Sequence, residues 1–160
     1  MADIAGKSLI VKLSMDAGEG FRPVAHSTDR SAVAEDGWLI QSEQEQNHSI
    51  FRFDFLELMG GVLHCSISAA PGTGYDGSKV GVSRNGYLGF YRVAEVDDLW
   101  RVDLEGNLAT PDTFEFVLRD YRGYPVGAKS EPAGAGRLVR YLNAEAKNTV
   151  RFRAHIVTYL

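Results

Sequence analysis

The stretch Gly86-Tyr87-Leu88-Gly89-Phe90-Tyr91 is followed, fourteen positions after its first glycine, by Trp100 in Leu99-Trp100-Arg101-Val102-Asp103-Leu104. The same spacing occurs twice more. Gly37-Trp38-Leu39 leads to Phe51 in Ile50-Phe51-Arg52-Phe53, and Gly136-Arg137-Leu138 leads to Val150 in Thr149-Val150-Arg151-Phe152. The three glycines lie 49 and 50 residues apart. A fixed period with a constant internal pattern marks a repeat architecture in which each unit is one supersecondary element.

Working outward, each unit reads as four short strands. Leu9, Val11, Leu13 and Met15 recur at every second position, and Phe51, Phe53 and Phe55 alternate with Arg52 and Asp54. This two-residue period belongs to a half-buried strand. Leu63, Cys65 and Ile67 open the second unit in the same way, and Phe114, Phe116 and Leu118 open the third. Val24-Ala25, Val80-Gly81 and Val126-Gly127 mark the second strand of each. Asn85-Gly86 supplies the positive φ angles of a tight hairpin. The one helical signal is short, Ala144-Glu145-Ala146-Lys147, enough for a single turn. Twelve strands in three sets of four, split by Gly, Pro, Asn and Asp turns, predict an all-β closed structure. The expected single domain covers residues 1–160, with repeats at about 8–57, 61–106 and 113–160.

This pattern resembles the β-trefoil superfamily over essentially the whole chain. The resemblance implies a six-stranded barrel built from the first and fourth strands of each unit, with three hairpins closing one end. Leu39, Leu88, Leu138, Phe53, Val102 and Phe152 are then expected to fill the barrel. Trp100 should be buried at the position held by Phe51 and Val150 in the other units.

Composition restricts the function classes. Hydrophobic residues make up 44% and charged residues 24% of the 160, a globular mix. Net charge is −4, which disfavours a nucleic-acid partner. The charge is uneven: residues 113–160 carry eight basic and four acidic side chains, while residues 1–112 carry nine and seventeen. The basic third unit points to an acidic protein surface as a partner. Cys65 is the single cysteine, so no internal disulfide forms, and its strand position points to the core. No cleavable signal and no transmembrane run is visible, which suggests a protein that is cytoplasmic or released without a cleaved signal peptide.

Enzyme signatures are missing, so a non-enzymatic protein without cofactor or metal is expected. His26, His48, His64 and His155 show no metal-ligand spacing. Gly72-Thr73-Gly74 is not followed by the Gly-Lys-Ser/Thr of a phosphate loop. Trefoils resembling this one include lectins, fascin-like modules, inhibitors, cytokines and toxin-targeting domains. The Gln-x-Trp marker of ricin-type lectins is absent from all three units. A sugar site needs an aromatic platform beside carboxylate or amide groups. Each unit has an aspartate in the turn after its first strand: Asp16, Asp76 and Asp120. Tyrosines accompany the second and third. The two candidate ligand sites are therefore Asp76 with Tyr75 and Tyr91, and Asp120 with Tyr121, Tyr124 and Tyr141. The expected partner is a glycan or glycoprotein, compatible with a defence or toxicity role. The alternative is a fascin-like, actin-binding interaction module. Lys79-Val80-Gly81-Val82 running into Gly86-Tyr87-Leu88 resembles that family, although such proteins usually chain several trefoils.

Overall fold

The computed structural model describes residues 4–27, 37–44, 46, 48–72, 74–91, 99–110, 112–132 and 136–160. The chain is all-β, with no helix among the described residues. Its strands are β1 (Ser8–Asp16), β2 (Phe21–His26), β3 (Leu39–Gln41), β4 (Ile50–Phe55), β5 (Leu63–Ala69) and β6 (Lys79–Val82). They continue with β7 (Leu88–Tyr91), β8 (Trp100–Thr110), β9 (Thr113–Arg119), β10 (Gly127–Pro132), β11 (Leu138–Asn143) and β12 (Arg151–Tyr159). Ala144–Lys147 forms turns rather than the expected helical turn, and Lys147 takes a φ of 63°.

All twelve strands join one antiparallel sheet. Six of them pair in a closed circuit: β1 with β4, β4 with β5, β5 with β8, β8 with β9, β9 with β12, and β12 with β1. Closure leaves no free edge in that circuit. The others form hairpins β2–β3, β6–β7 and β10–β11. The hairpins meet through backbone pairs Trp38 with Gly89, Tyr87 with Asn143, and Ile40 with Tyr141.

Alternation along each ring strand sends one side-chain set inward. Phe51, Phe53, Phe116, Phe152 and Trp100 are fully buried there, together with Cys65. The Phe116 ring stacks on Phe152 at 5.8 Å and meets Phe53 edge-on at 6.3 Å. Trp100 places its indole in this core and donates its N–H to the Val80 carbonyl at 3.2 Å, so the ring buries no unpaired donor. Val24, Val80 and Val126 close the hairpin end and are all buried.

The third stretch corrects two expected equivalences. Leu138 is 68% exposed and does not fill the core, whereas Leu142 is 1% exposed. The hairpin contacts explain this. Tyr87 pairs with Asn143 as Trp38 pairs with Gly89, which aligns Tyr141 with Trp38 and Tyr87, and Leu142 with Leu39 and Leu88. In the ring, Phe51 faces Val11, Trp100 faces Cys65, and Phe152 faces Phe116. Phe152, not Val150, is thus the counterpart of Trp100. Extra residues before β11 are offset by a shorter connection after it, which preserves the spacing while shifting the register. Gly136 shows the same shift: a Cβ there would touch nothing, whereas one on Gly86 would strike the Asn143 side chain at 2.6 Å.

These placements give a stability test by urea denaturation. Trp100→Ala should cost about 3–5 kcal/mol and Leu142→Ala about 2–5 kcal/mol. Leu138→Ala should stay within about 0.5 kcal/mol. A Leu138 effect as large as that of Leu142 would refute the register.

Candidate functional site

The chain leaves β9 at Arg119 and turns through Asp120-Tyr121-Arg122-Gly123-Tyr124-Pro125. Backbone bonds close this turn: the Tyr124 carbonyl accepts from Asp120 N–H and the Asp120 carbonyl accepts from Gly123 N–H, both at 2.9 Å. Gly123 sits at φ 89°, a left-handed geometry that a side chain would strain. Asp120 is fully buried, and both its carboxylate oxygens serve the turn. Oδ1 accepts the N–H groups of Arg122 and Tyr124, each at 2.9 Å. Oδ2 accepts Nε and Nη2 of Arg122 at 2.9 and 2.7 Å.

This fork-like grip fixes Arg122. The Asp120 hydrogen bond, chiefly, pushes the guanidinium pKa up against the opposing effect of burial. Its central carbon lies 4.4 Å from the Tyr124 ring centre and 5.4 Å from that of Tyr121. On the far side, Arg122 Nη1 approaches Glu145 Oε2 at 3.4 Å. Tyr121 and Tyr124 are 57% and 48% exposed. A cleft of about 370 Å³ opens beside them, lined by Tyr124, Pro125, Ala144, Glu145 and Lys147. The result is an ordered cation close to two solvent-facing aromatic rings, with a carboxylate next to it.

No protein-family model matches this chain, and no curated protein or solved structure does either.

The other expected residues are placed differently. Asp76 lies in the turn after β5 and accepts the Gly72 N–H at 2.8 Å. It lines an open hollow of about 530 Å³ with Gly72, Gly74, Gly77 and Ser78. Tyr75 turns inward from that hollow, stacking on Phe90 at 5.4 Å and meeting His26 edge-on at 5.0 Å. The Tyr91 hydroxyl donates to the Tyr87 carbonyl at 3.4 Å. Tyr141 is 2% exposed and packs edge-on against Trp38 and Tyr87 at the hairpin end. Of the seven expected residues, Asp120, Tyr121 and Tyr124 are brought together at one turn, and Asp120 holds that turn from below.

Glu145 and Lys147 escaped the sequence reading as site residues, and Arg122 entered it only as one basic side chain of the third unit. Its place in the turn was findable: an aspartate three residues before glycine commonly caps its own turn and orders what lies between. Glu145 carried no signal, since it arrives from the turn after β11. Among the described residues, no group of three His, Cys, Asp or Glu side chains is placed to hold a metal ion. Among the described residues no helix is long and apolar enough to cross a membrane.

The hairpin end carries a second polar arrangement. Trp38 stacks on Tyr87 at 4.4 Å. The Tyr87 hydroxyl donates to Glu131 Oε1 at 2.7 Å, and Lys129 Nζ lies 3.4 Å from the same oxygen. Burial, and then the Glu131 contact, pushes the Tyr87 pKa up to about 12. The Tyr87 hydrogen bond, chiefly, holds the Glu131 carboxyl below its usual range. The stabilisation linked to the tyrosine is fully present below its ordinary pKa of 10.0 and is lost as pH rises through about 12. That linked to the glutamate is present above the ordinary carboxylate pKa and is lost as pH falls through its lowered folded value. Tyr87→Phe should therefore cost about 1 kcal/mol near neutrality. Thermal unfolding across the alkaline range should show a smaller further loss for the variant than for the parent. Parallel curves would refute the coupling.

Asp120→Ala should destabilise the chain by about 1–3 kcal/mol, because it removes charge-assisted bonds beneath the turn. Denaturation of the purified variant measures this.

Proposed function

We propose that the chain is a β-trefoil acting as a non-enzymatic carbohydrate-recognition module, with its binding surface at the Asp120–Pro125 turn. The trefoil reading is supported by the six-strand circuit and by three hairpins meeting at one end. The observation that carries the functional reading is the pair of exposed rings, Tyr121 and Tyr124, flanking an Arg122 side chain fixed by Asp120 and Glu145. Pyranose rings present an apolar face of C–H groups that suits an aromatic surface, and their hydroxyls suit planar donors and carboxylate acceptors. Arg122 and Glu145 offer one of each beside the cleft. Because the arginine is already held, little side-chain entropy is lost on binding. The shallow opening suits a glycan end on a glycoprotein better than an enclosed small molecule.

The acidic-surface reading draws on the basic third stretch. That charge is largely neutralised locally. Arg119 pairs with Asp103 at 2.7 Å, Arg151 with Glu105 at 2.6 Å, and Arg153 with Glu115 at 3.0 Å. Such pairing leaves little continuous positive field to attract an acidic protein.

A glycan array with the full chain, followed by titration against the best glycan, tests the proposal. Tyr124→Ala and Tyr121→Ala should each weaken binding about tenfold, the loss of one aromatic contact. Both variants should unfold like the parent. A flat array, or unchanged affinity in both folded variants, would overturn the assignment.

A further inference from the structure

Three cationic or imidazole side chains stand in a row on the outer face of the ring. His64 on β5 faces Arg101 on β8, and Arg101 faces Arg119 on β9. Their strand neighbours Cys65, Val102 and Leu118 point into the core. Like charges directly opposite on neighbouring strands destabilise a sheet. Arg119 has compensation: its Nε donates to Asp103 Oδ2 at 2.7 Å and its Nη1 to the Gly123 carbonyl at 3.1 Å. Arg101 has none. Among the described residues it forms no ion pair, and its Nε is buried without a hydrogen-bond partner in the protein, as is His64 Nδ1. Two orphaned polar atoms on adjacent residues are uncommon in a folded domain and call for a cause.

The row also has a definite neighbour. A Cβ added to Gly123 would lie 3.5 Å from Arg101 Nη1. Arg101 therefore sits against the same turn that displays Tyr121 and Tyr124, at the glycine between Arg122 and Tyr124. Arg122 is committed to Asp120 and Glu145, so the two arginine groups do not compete for one partner. Asp103 neutralises one charge of the row and leaves the other.

We propose that Arg101, with Arg119 and His64, forms a subsite for a sulfate or phosphate oxyanion beside the tyrosine turn. A tetrahedral oxyanion offers several acceptors at once. It accepts from the terminal nitrogens of Arg101 rather than from the buried Nε, offsets the Arg101–Arg119 repulsion, and accepts from the Nε2 side of the His64 imidazole. Arginine suits such a group because its planar donors match two oxygens together. The subsite goes beyond the carbohydrate reading and does not rest on it, since the free ion tests it alone.

The test uses the full chain and inorganic sulfate, with sodium chloride at matched ionic strength as the reference. The Nε–H resonance of Arg101 should move saturably with sulfate and not with chloride. Sulfate should also raise the thermal midpoint. Arg101→Gln should weaken sulfate binding about tenfold or more, the loss of a charge-assisted contact. Arg52→Gln, on a ring strand outside the row, should leave it unchanged. Dextran sulfate identifies the source of the anion. Affinity per sulfate well above that of the free ion, lost in Arg101→Gln, marks an ester group on a polysaccharide; no gain marks a free ion. Either result supports the subsite. An unmoved Arg101 resonance, or equal sulfate responses in the parent and both variants, would overturn it. The resonance measurement decides the matter even where Arg101→Gln fails to fold.

Discussion

The pairing of β1 with β12 is the constraint on which the architecture depends. It joins the first strand to the last and turns a row of strands into a circuit. β1 is shared between β4 and β12, so each of its outer groups has a partner on one side or the other. Loss of that seam would expose two long edges, one carrying Leu9, Val11, Leu13 and Met15 and the other Phe152, Ala154 and Ile156, and apolar edges of that kind are prone to intermolecular pairing. Everything else leans on the closed circuit. The aromatic core needs a wall all around it, and the hairpins need a rim on which to rest.

The rim positions the candidate surface. β9 delivers Asp120 at the end of its inward alternation, beyond Leu118, so the carboxylate is carried below the surface by the same period that buries Phe114 and Phe116. The other elements bring complementary pieces: β11 leads to Glu145 and Lys147, and β8 brings Arg101 under Gly123. Three distant segments converge because neighbouring ring strands end at the same level. No single segment holds enough of the site to be recognised alone.

Strand identity is legible in the sequence because a half-buried strand has to alternate, as Val11 to Met15 and Phe51 to Phe55 do. The valines Val24, Val80 and Val126 are legible for a related reason: each precedes a small residue where hairpin and ring crowd together. The register of the third stretch is not legible. Leu138 and Leu142 are both leucines in a plausible strand, and only the cross-strand partners of Tyr141 and Asn143 distinguish them. The site was partly legible for the same physical reason. Tyr121 and Tyr124 lie beside Asp120 in the chain, but the outlook of Tyr75 and Tyr141 is set by Phe90, Trp38 and Tyr87, which come from other strands.

The buried carboxylate of Asp120 also makes the turn portable. Its four hydrogen bonds come from within the next four residues, so the scaffold that shapes the turn travels with it as a cassette. A library that holds Asp120, Arg122 and Gly123 constant while varying positions 121, 124 and 125 would keep one backbone shape and change only the face it shows. The chain thus offers a separation that designers of binding loops usually have to build for themselves. One set of residues keeps the loop's conformation, and a different set is open to selection for new ligands.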